Sequence, residues 1–141
     1  METRSQLREQ VTRKLLDSGI NPTRQRLEIG VCLFEKDKHI SADQVLELVN
    51  HGAYEVSKAT VYNTLGLFAE RGLVRELVIT PNKVVYDTNV SDHHHLYNVD
   101  TGDLQDLETD ELHLNALPRL DDGVQIDGVD IIIRVKNKTP A

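Results

Sequence analysis

The sequence predicts an α+β protein in which a helical half precedes a strand-rich half. Residues 4–72 carry four segments with apolar residues at helical spacing, and residues 73–88 form two β-branched segments around a short turn. Helices followed by a β-hairpin are the element order of a winged helix-turn-helix, and the last third has separate turn and strand signals. We therefore predict a winged helix-turn-helix domain over residues 1–88 and a small C-terminal α/β dimerisation domain over residues 89–141.

The composition is that of a globular chain whose charge is unevenly distributed. Of the 141 residues, 39% are hydrophobic and 28% are charged. No apolar segment approaches the roughly 20 residues that a membrane span requires. Residues 1–90 hold 12 basic and 12 acidic side chains, whereas residues 91–141 hold 4 and 11. The single cysteine, Cys32, cannot form an intrachain disulfide, so we expect a cytoplasmic protein that does not associate with membranes.

The first two helices are predicted from apolar residues about four positions apart and from the signals at their ends. The first covers residues 4–18 and ends at Gly19, and Thr23 caps the second. The residues expected to face inward are Leu7, Val11, Leu15 and Leu16 in the first helix and Leu27, Val31 and Phe34 in the second.

The third and fourth helices have clear start signals. Ser41 and Gln44 have the spacing of a capping box, in which each side chain satisfies a free backbone N–H of the other residue. The fourth helix extends from a Ser57 cap to Gly72. The residues expected to face inward are Val45, Leu48 and Val49 in the third helix and Val61, Leu65, Phe68 and Ala69 in the fourth.

Strands are predicted where β-branched residues replace the helical pattern. The strands of the two predicted hairpins cover residues 73–80, 83–88, 96–99 and 104–107. The turns between them are Pro81-Asn82 and Asp100-Thr101-Gly102. The first hairpin is the wing of the winged helix, and the second belongs to the C-terminal domain.

The end of the chain predicts association with a second copy. A short helix is expected over residues 109–117, stopped by Pro118, and a strand over residues 129–135. In that strand Ile131 and Ile133 share one face and Ile132 lies on the other. A strand that is apolar on both faces needs cover on both, which a domain of this size supplies best as a homodimer.

The exposed face of the fourth helix carries residues suited to reading DNA. Lys58 and Tyr62 are one turn apart, so both can enter the same groove. The Asn63 amide matches an adenine edge, the Tyr62 ring can pack on a thymine methyl, and Lys58 suits a phosphate. The alternative is that these are ordinary solvent-facing residues. The predicted DNA-binding set is Asn21, Arg24, Arg26, Lys58, Thr60, Tyr62 and Asn63.

Three consecutive histidines point to a metal site. In an extended segment His93 and His95 project to one side and His94 to the other, and two imidazoles at that spacing form half of a metal site. Asp87 can add a carboxylate, and His39 can complete the set from the other domain. Such a site would span the hinge between the domains and act as a switch. The alternative is a solvated histidine-rich loop.

An enzymatic role is the contrasting hypothesis. A metal-dependent hydrolase would need an open metal position beside a general base. The sequence offers no nucleophile motif, glycine-rich phosphate loop or paired carboxylates near the histidines. A metal-storage role is also disfavoured because the histidines would hold few ions. We therefore predict a regulator and not an enzyme.

Several motifs together resemble the ferric uptake regulator family. They are Gly-Ile-Asn-Pro-Thr-Arg-Gln-Arg (19–26), His-Ile-Ser-Ala (39–42), Ala-Thr-Val-Tyr-Asn-Thr-Leu (59–65) and Asp-His-His-His (92–95). The resemblance implies a dimeric metalloregulator that binds AT-rich inverted repeats in double-stranded DNA. It also implies a divalent cation, Mn²⁺, Fe²⁺ or Zn²⁺, at an inter-domain site formed by His39, Asp87, His93 and His95.

The sequence departs from the common family pattern at two places. Asn98 and Thr101 stand where many members have a Cys-x-x-Cys pair, so no structural Cys₄ zinc is expected. A second family site also lacks its histidine, because the strand after Gly128 contains none. The dimer is therefore expected to be held by packing alone.

The segment around the histidines resembles one branch of the family. Tyr-Asp-Thr-Asn-Val-Ser-Asp-His-His-His (86–95) is similar to iron response regulators, which respond to haem. This resemblance implies a transcriptional regulator of iron and haem homeostasis, with haem bound at His93, His94 and His95. The alternative is a regulator of the same fold that senses Mn²⁺ or Fe²⁺ directly, with histidine oxidation by peroxide as a further possibility.

Overall fold

The chain divides into two compact units, residues 1–90 and residues 91–141. The computed structural model describes residues 3–36, 39–51, 55–91, 93–108, 112 and 114–139. Four helices and six strands lie in these ranges, so the prediction of an α+β protein is confirmed. Within the same ranges, no helix combines the length and apolar character that crossing a bilayer requires.

The first unit contains all four helices. They are α1 (Arg4–Asp17), α2 (Arg24–Phe34), α3 (Ala42–Val49) and α4 (Lys58–Glu70). The predicted caps Thr23, Ser41 and Ser57 each accept a hydrogen bond from a backbone N–H in the first turn of their helix. Gly19 and Gly72, just after the ends of α1 and α4, have φ of 73° and 77°, a conformation that favours glycine.

The core of the first unit lies where the inward faces of these helices meet. Gly30 marks a close crossing of α1 and α2, because a Cβ there would lie 2.6 Å from Cγ1 of Val11. The prediction for Leu16 and Leu48 was wrong. Both side chains are exposed, Leu16 by 56%, since Leu15 and Val49 beside them already hold the inward positions.

A three-stranded antiparallel sheet completes the first unit. Its strands are β1 (His39–Ile40), β2 (Arg75–Thr80) and β3 (Lys83–Asp87), in the order β1-β3-β2. The predicted hairpin is present, with its turn between Thr80 and Lys83. The sequence pattern did not predict β1, because two residues are too few to show strand periodicity. This short strand pairs His39 with Asp87 and Ile40 with Tyr86.

The second unit is built on a mixed sheet. Its strands are β4 (His94–Asn98), β5 (Leu104–Leu107) and β6 (Ile132–Val135), in the order β5-β4-β6. Strand β4 is antiparallel to β5, as the predicted hairpin requires, and parallel to β6. The predicted strand over residues 129–135 begins late, at Ile132.

The predicted helix over residues 109–117 falls partly on residues 109–111 and 113, which lie outside the described residues. For residues 114–117 the prediction was wrong, because their backbone is not helical. A single turn or two of helix is marginal unless an apolar face is packed. Leu114 and Leu117 are exposed, so these two side chains have no such packing among the residues that the structure describes.

A hydrogen-bond network joins the β4–β5 turn to the residues after β6. Asn98 Oδ1 accepts from the backbone N–H groups of Asp100 and Thr101, at 2.9 and 3.2 Å. Asn98 Nδ2 donates to Asn137 Oδ1 at 2.9 Å, and the Asn137 N–H donates to Asp100 Oδ2 at 2.8 Å. The Asn98 side chain and the Thr101 backbone N–H therefore belong to one polar network within the second unit.

Replacing Asn98 by alanine is expected to lower the free energy of unfolding by about 1–3 kcal/mol, since three hydrogen bonds of partly exposed groups are lost. Thermal unfolding at fixed protein concentration measures the change. Asn98→Asp keeps the acceptor for the turn but loses the donor to Asn137, so its loss should be smaller. Equal stability of Asn98→Ala and wild type would contradict a stabilising role for the network.

Candidate functional site: metal centre and nucleic-acid interface

A histidine–aspartate triad forms within the second unit. His93 and His95 lie two residues apart and on the same side, with ring centroids 4.6 Å apart. The antiparallel register of β4 and β5 places Asp106 opposite His95. Asp106 Oδ1 lies 3.4 Å from Nε2 of each histidine. Two imidazole nitrogens and one carboxylate oxygen thus converge, all within 4.8 Å of one another.

The hydrogen bonds of His93 orient its ring for ligation. Its Nδ1 lies 2.6 Å from the carbonyl oxygen of Ser91, which can only accept, so Nδ1 carries the proton. In the neutral ring Nε2 then presents a lone pair toward Asp106. A backbone carbonyl that holds the outer nitrogen of a histidine is the usual outer partner of a metal ligand.

The predicted alternation of the three histidines is confirmed. His93 and His95 are buried, with 3% and 1% of their surface exposed, whereas His94 is half-buried. His94 is engaged differently, because its Nδ1 lies 3.3 Å from the backbone N–H of Ile131, beside β6. The structure therefore separates His94 from the triad.

A second histidine–aspartate pair forms within the first unit. His39 Nε2 lies 3.1 Å from Asp87 Oδ2, because β1 pairs with β3 in the register that places the two residues opposite each other. The other Asp87 oxygen, Oδ1, accepts from the backbone N–H of Asn89 at 2.9 Å. A buried carboxylate held in this way keeps a fixed orientation.

The residue before Asp87 is a tyrosine whose hydroxyl stays uncharged. Burial raises the pKa of the Tyr86 hydroxyl, and the neighbouring Glu76 carboxylate and the Tyr62 hydroxyl raise it further. Tyr86 is therefore neutral over the physiological pH range, and it belongs to the core of the first unit.

The face of α4 that was predicted to read DNA is exposed. Lys58, Tyr62, Asn63 and Gly66 all lie on the solvent side, while Val61, Thr64, Leu65 and Phe68 are buried. The Lys58 ammonium lies 5.8 Å from the centroid of the Tyr62 ring. These residues thus form one continuous polar and aromatic surface that can face a nucleic acid.

Two other residues of the predicted DNA-binding set, Arg26 and Thr60, also form hydrogen bonds within the protein. Arg26 is half-buried and its Nη1 donates to the carbonyl oxygen of Asn21 at 2.9 Å, while Arg24 is exposed. Thr60 belongs to the cap of α4, since its backbone N–H and its hydroxyl both contact the Ser57 hydroxyl. Thr60 thus has a structural role in addition to the predicted one.

Asp106 was missed by the sequence analysis, although a signal for it exists. The predicted hairpin had strands over residues 96–99 and 104–107. Pairing Tyr97 with Leu104, and continuing the antiparallel register by two residues, sets Asp106 opposite His95. Because the predicted strand began at Leu96, the histidines lay outside the predicted hairpin and this pairing was not recognised.

Comparison with known proteins identifies the family. The model of the ferric uptake regulator family matches residues 17–134. The chain belongs to this family. A ferric uptake regulation protein of Neisseria gonorrhoeae is 32% identical over 102 residues, covering 70% of each chain. The peroxide-responsive repressor PerR of Staphylococcus aureus is 30% identical over 106 residues, covering 75% of this chain and 70% of that protein.

Solved structures agree on the fold of this family member. The ferric uptake regulator from Pseudomonas aeruginosa with manganese has a TM-score of 0.68 at 22% identity, covering 91% of this chain and 98% of that one. Family members are dimeric DNA-binding transcriptional regulators and not enzymes. The predicted family, fold class and non-enzymatic class are therefore confirmed.

Proposed function

We propose that this ferric uptake regulator family member binds DNA in response to a divalent cation held by the His93–His95–Asp106 triad together with His39 and Asp87. The observation that carries the proposal is the convergence of three donor atoms on one point in the second unit. His39 and Asp87 are retained from the sequence prediction as further ligands of the same ion.

The triad fits a cation on electrostatic grounds. The Nε2 lone pair of His93 and an anionic oxygen of Asp106 face each other at 3.4 Å, and both are acceptors. While the His93 ring is neutral these two acceptors repel each other, and either a proton on Nε2 or a metal cation between them removes the repulsion. The arrangement is therefore favourable when a cation is bound, and a bound ion supplies the charge that all these donors share.

The donor set indicates which ions are expected. Imidazole nitrogen and carboxylate oxygen suit Mn²⁺, Fe²⁺ and Zn²⁺, whereas a thiolate site requires cysteine. The chain has one cysteine, Cys32, and therefore no Cys₄ zinc site of its own. Manganese is named with the Pseudomonas aeruginosa structure, which supports the same choice here.

We assign DNA binding to the first unit and dimerisation to the second. The first unit carries the exposed face of α4 with Lys58, Tyr62 and Asn63, which we assign to an AT-rich inverted-repeat operator in double-stranded DNA. Arg24 and Arg26 at the start of α2 are assigned to phosphates. The second unit exposes Leu114, Leu117 and Ile133, which a homodimer would cover.

Haem as the effector stays a prediction, and the geometry favours the cation. Two of the three histidines, His93 and His95, are buried and held against Asp106, and an axial bond to haem iron would have to displace that contact. His94 is half-buried beside Ile131. A planar porphyrin therefore has poorer access to residues 93–95 than a single metal ion has.

The proposal is tested by fluorescence anisotropy of a labelled AT-rich inverted-repeat duplex. Protein stripped with a chelator is expected to bind the duplex about 5–150-fold more weakly than protein loaded with Mn²⁺, the range that corresponds to a typical coupling free energy of 1–3 kcal/mol. Adding Mn²⁺ back should restore binding. A labelled duplex of scrambled sequence is the specificity control.

Haem is then titrated into the Mn²⁺-loaded complex. Binding that ignores haem but is lost on chelation supports direct sensing of the cation. Release of DNA at near-stoichiometric haem, with binding unaffected by chelation, would contradict the proposal and establish the haem-responsive alternative. A duplex that is not bound in any state would contradict the DNA-binding assignment itself.

A further inference from the structure

One acidic side chain lies within the surface that we assign to DNA. Asp43, in the first turn of α3, is exposed and has its Oδ1 3.7 Å from the Lys58 ammonium and 3.4 Å from the Tyr62 hydroxyl. The same carboxylate oxygen thus contacts both a side chain suited to phosphate and one suited to a base. A carboxylate is otherwise out of place on a surface that meets a polyanion.

The arrangement links the two kinds of DNA contact. The Asp43 carboxylate competes with a DNA phosphate for the Lys58 ammonium, and this competition is the same on every DNA sequence. Tyr62 is held by the same carboxylate, and an ordered side chain loses less conformational entropy when it meets a matching base. Because non-specific binding depends almost wholly on phosphate contacts, the carboxylate weakens it more than it weakens binding to the correct site.

We infer that Asp43 is a specificity-determining residue, which competes with DNA phosphates for Lys58 and pre-orients Tyr62. This inference rests on the proposed DNA-binding function. A purely structural role is the contrasting possibility, since an aspartate in the first turn stabilises a helix through the helix dipole. The two roles differ in the salt dependence of DNA binding, which a structural role does not change.

The test compares Asp43→Asn with wild type in the full-length, Mn²⁺-loaded protein. Affinity for a scrambled duplex is expected to rise about twofold to fivefold, the range for an exposed charge pair of up to 1 kcal/mol. The slope of log affinity against log salt should steepen by up to about 0.9, the value for one phosphate contact, because Lys58 no longer shares its charge with Asp43. Affinity for the operator should change less, so the ratio of specific to non-specific affinity falls.

Three further variants make the test specific. Glu47→Gln removes a negative charge from another exposed position of α3. Glu47 lines a separate groove with His39 and Ile40. Asp43→Glu keeps the charge and should stay near wild type in salt slope. In a Lys58→Gln background, Asp43→Asn should leave the slope unchanged, because the competing ammonium is gone. Circular dichroism confirms that each variant is folded.

Two results would overturn the inference while leaving the proposed function intact. One is an Asp43→Asn protein that matches Glu47→Gln in salt slope and in both affinities. The other is loss of operator binding with unchanged non-specific binding, which would make Asp43 a direct contact to a base. Failure of wild-type protein to bind the operator in any metal state would instead contradict the proposed function, and this inference with it.

Discussion

Replacing His93 and His95 together by glutamine is expected to abolish metal-dependent DNA binding. Removing an outer partner of a metal ligand already costs about 10–100-fold in affinity, so loss of two direct ligands should lower the affinity for Mn²⁺ by more than about 100-fold. DNA binding by the variant should be as weak as that of chelated wild type and should not respond to added Mn²⁺. Calorimetry measures the affinity for the ion, and anisotropy measures the response.

The matched control for this prediction is His51→Gln. His51 is an exposed histidine that does not belong to the triad, so the same substitution there should leave metal affinity and DNA response unchanged. Asp106→Asn adds a test that disturbs the buried imidazoles less, because Asp106 lies nearer the surface than either histidine. If the double variant kept a normal response to Mn²⁺, the triad would not be the sensor.

Replacing Tyr62 by alanine is expected to weaken operator binding by about 10–100-fold, which corresponds to roughly 1–3 kcal/mol for a lost base contact. The side chain is 44% exposed and lies on the solvent face of α4, so its loss removes little packing. Binding to a scrambled duplex should change much less, because phosphate contacts remain. Anisotropy on the two duplexes gives both values.

Two companion variants separate the parts of the Tyr62 side chain. Tyr62→Phe removes only the hydroxyl that contacts Asp43, and it should keep most of the operator affinity if the ring makes the base contact. Leu16→Ala truncates another exposed large side chain and should have no effect on DNA binding. Equal operator affinity of Tyr62→Ala and wild type would remove α4 from the recognition surface.

The local signals of the sequence predicted most of the helical unit. Ser41 and Gln44 form the capping box that their spacing predicted, because a cap depends only on neighbouring backbone groups. The inward positions of adjacent apolar residues were harder to predict. Leu15 and Leu16 have equal hydrophobicity, and only the position of the opposing helix decides which of the two is buried.

Long-range pairing explains what sequence reasoning missed. Strand β1 has two residues and no periodicity of its own, so it exists only because β3 offers a free edge. The predicted helix near residue 114 differs in that its local pattern is helical, whereas Leu114 and Leu117 are exposed in the described part of the chain. For β1 the decisive contact, with β3, lies far along the sequence.

The sequence by itself determined the family, the four helices and the hairpin of the first unit, and the alternation that sets His93 and His95 on one side of an extended segment. These properties depend on neighbouring residues, whose spacing is written in the chain. Only the tertiary structure decided that Asp106 faces both histidines and that Asp43 contacts Lys58 and Tyr62. Such contacts depend on the register of paired strands and the packing of helices, which no local pattern specifies.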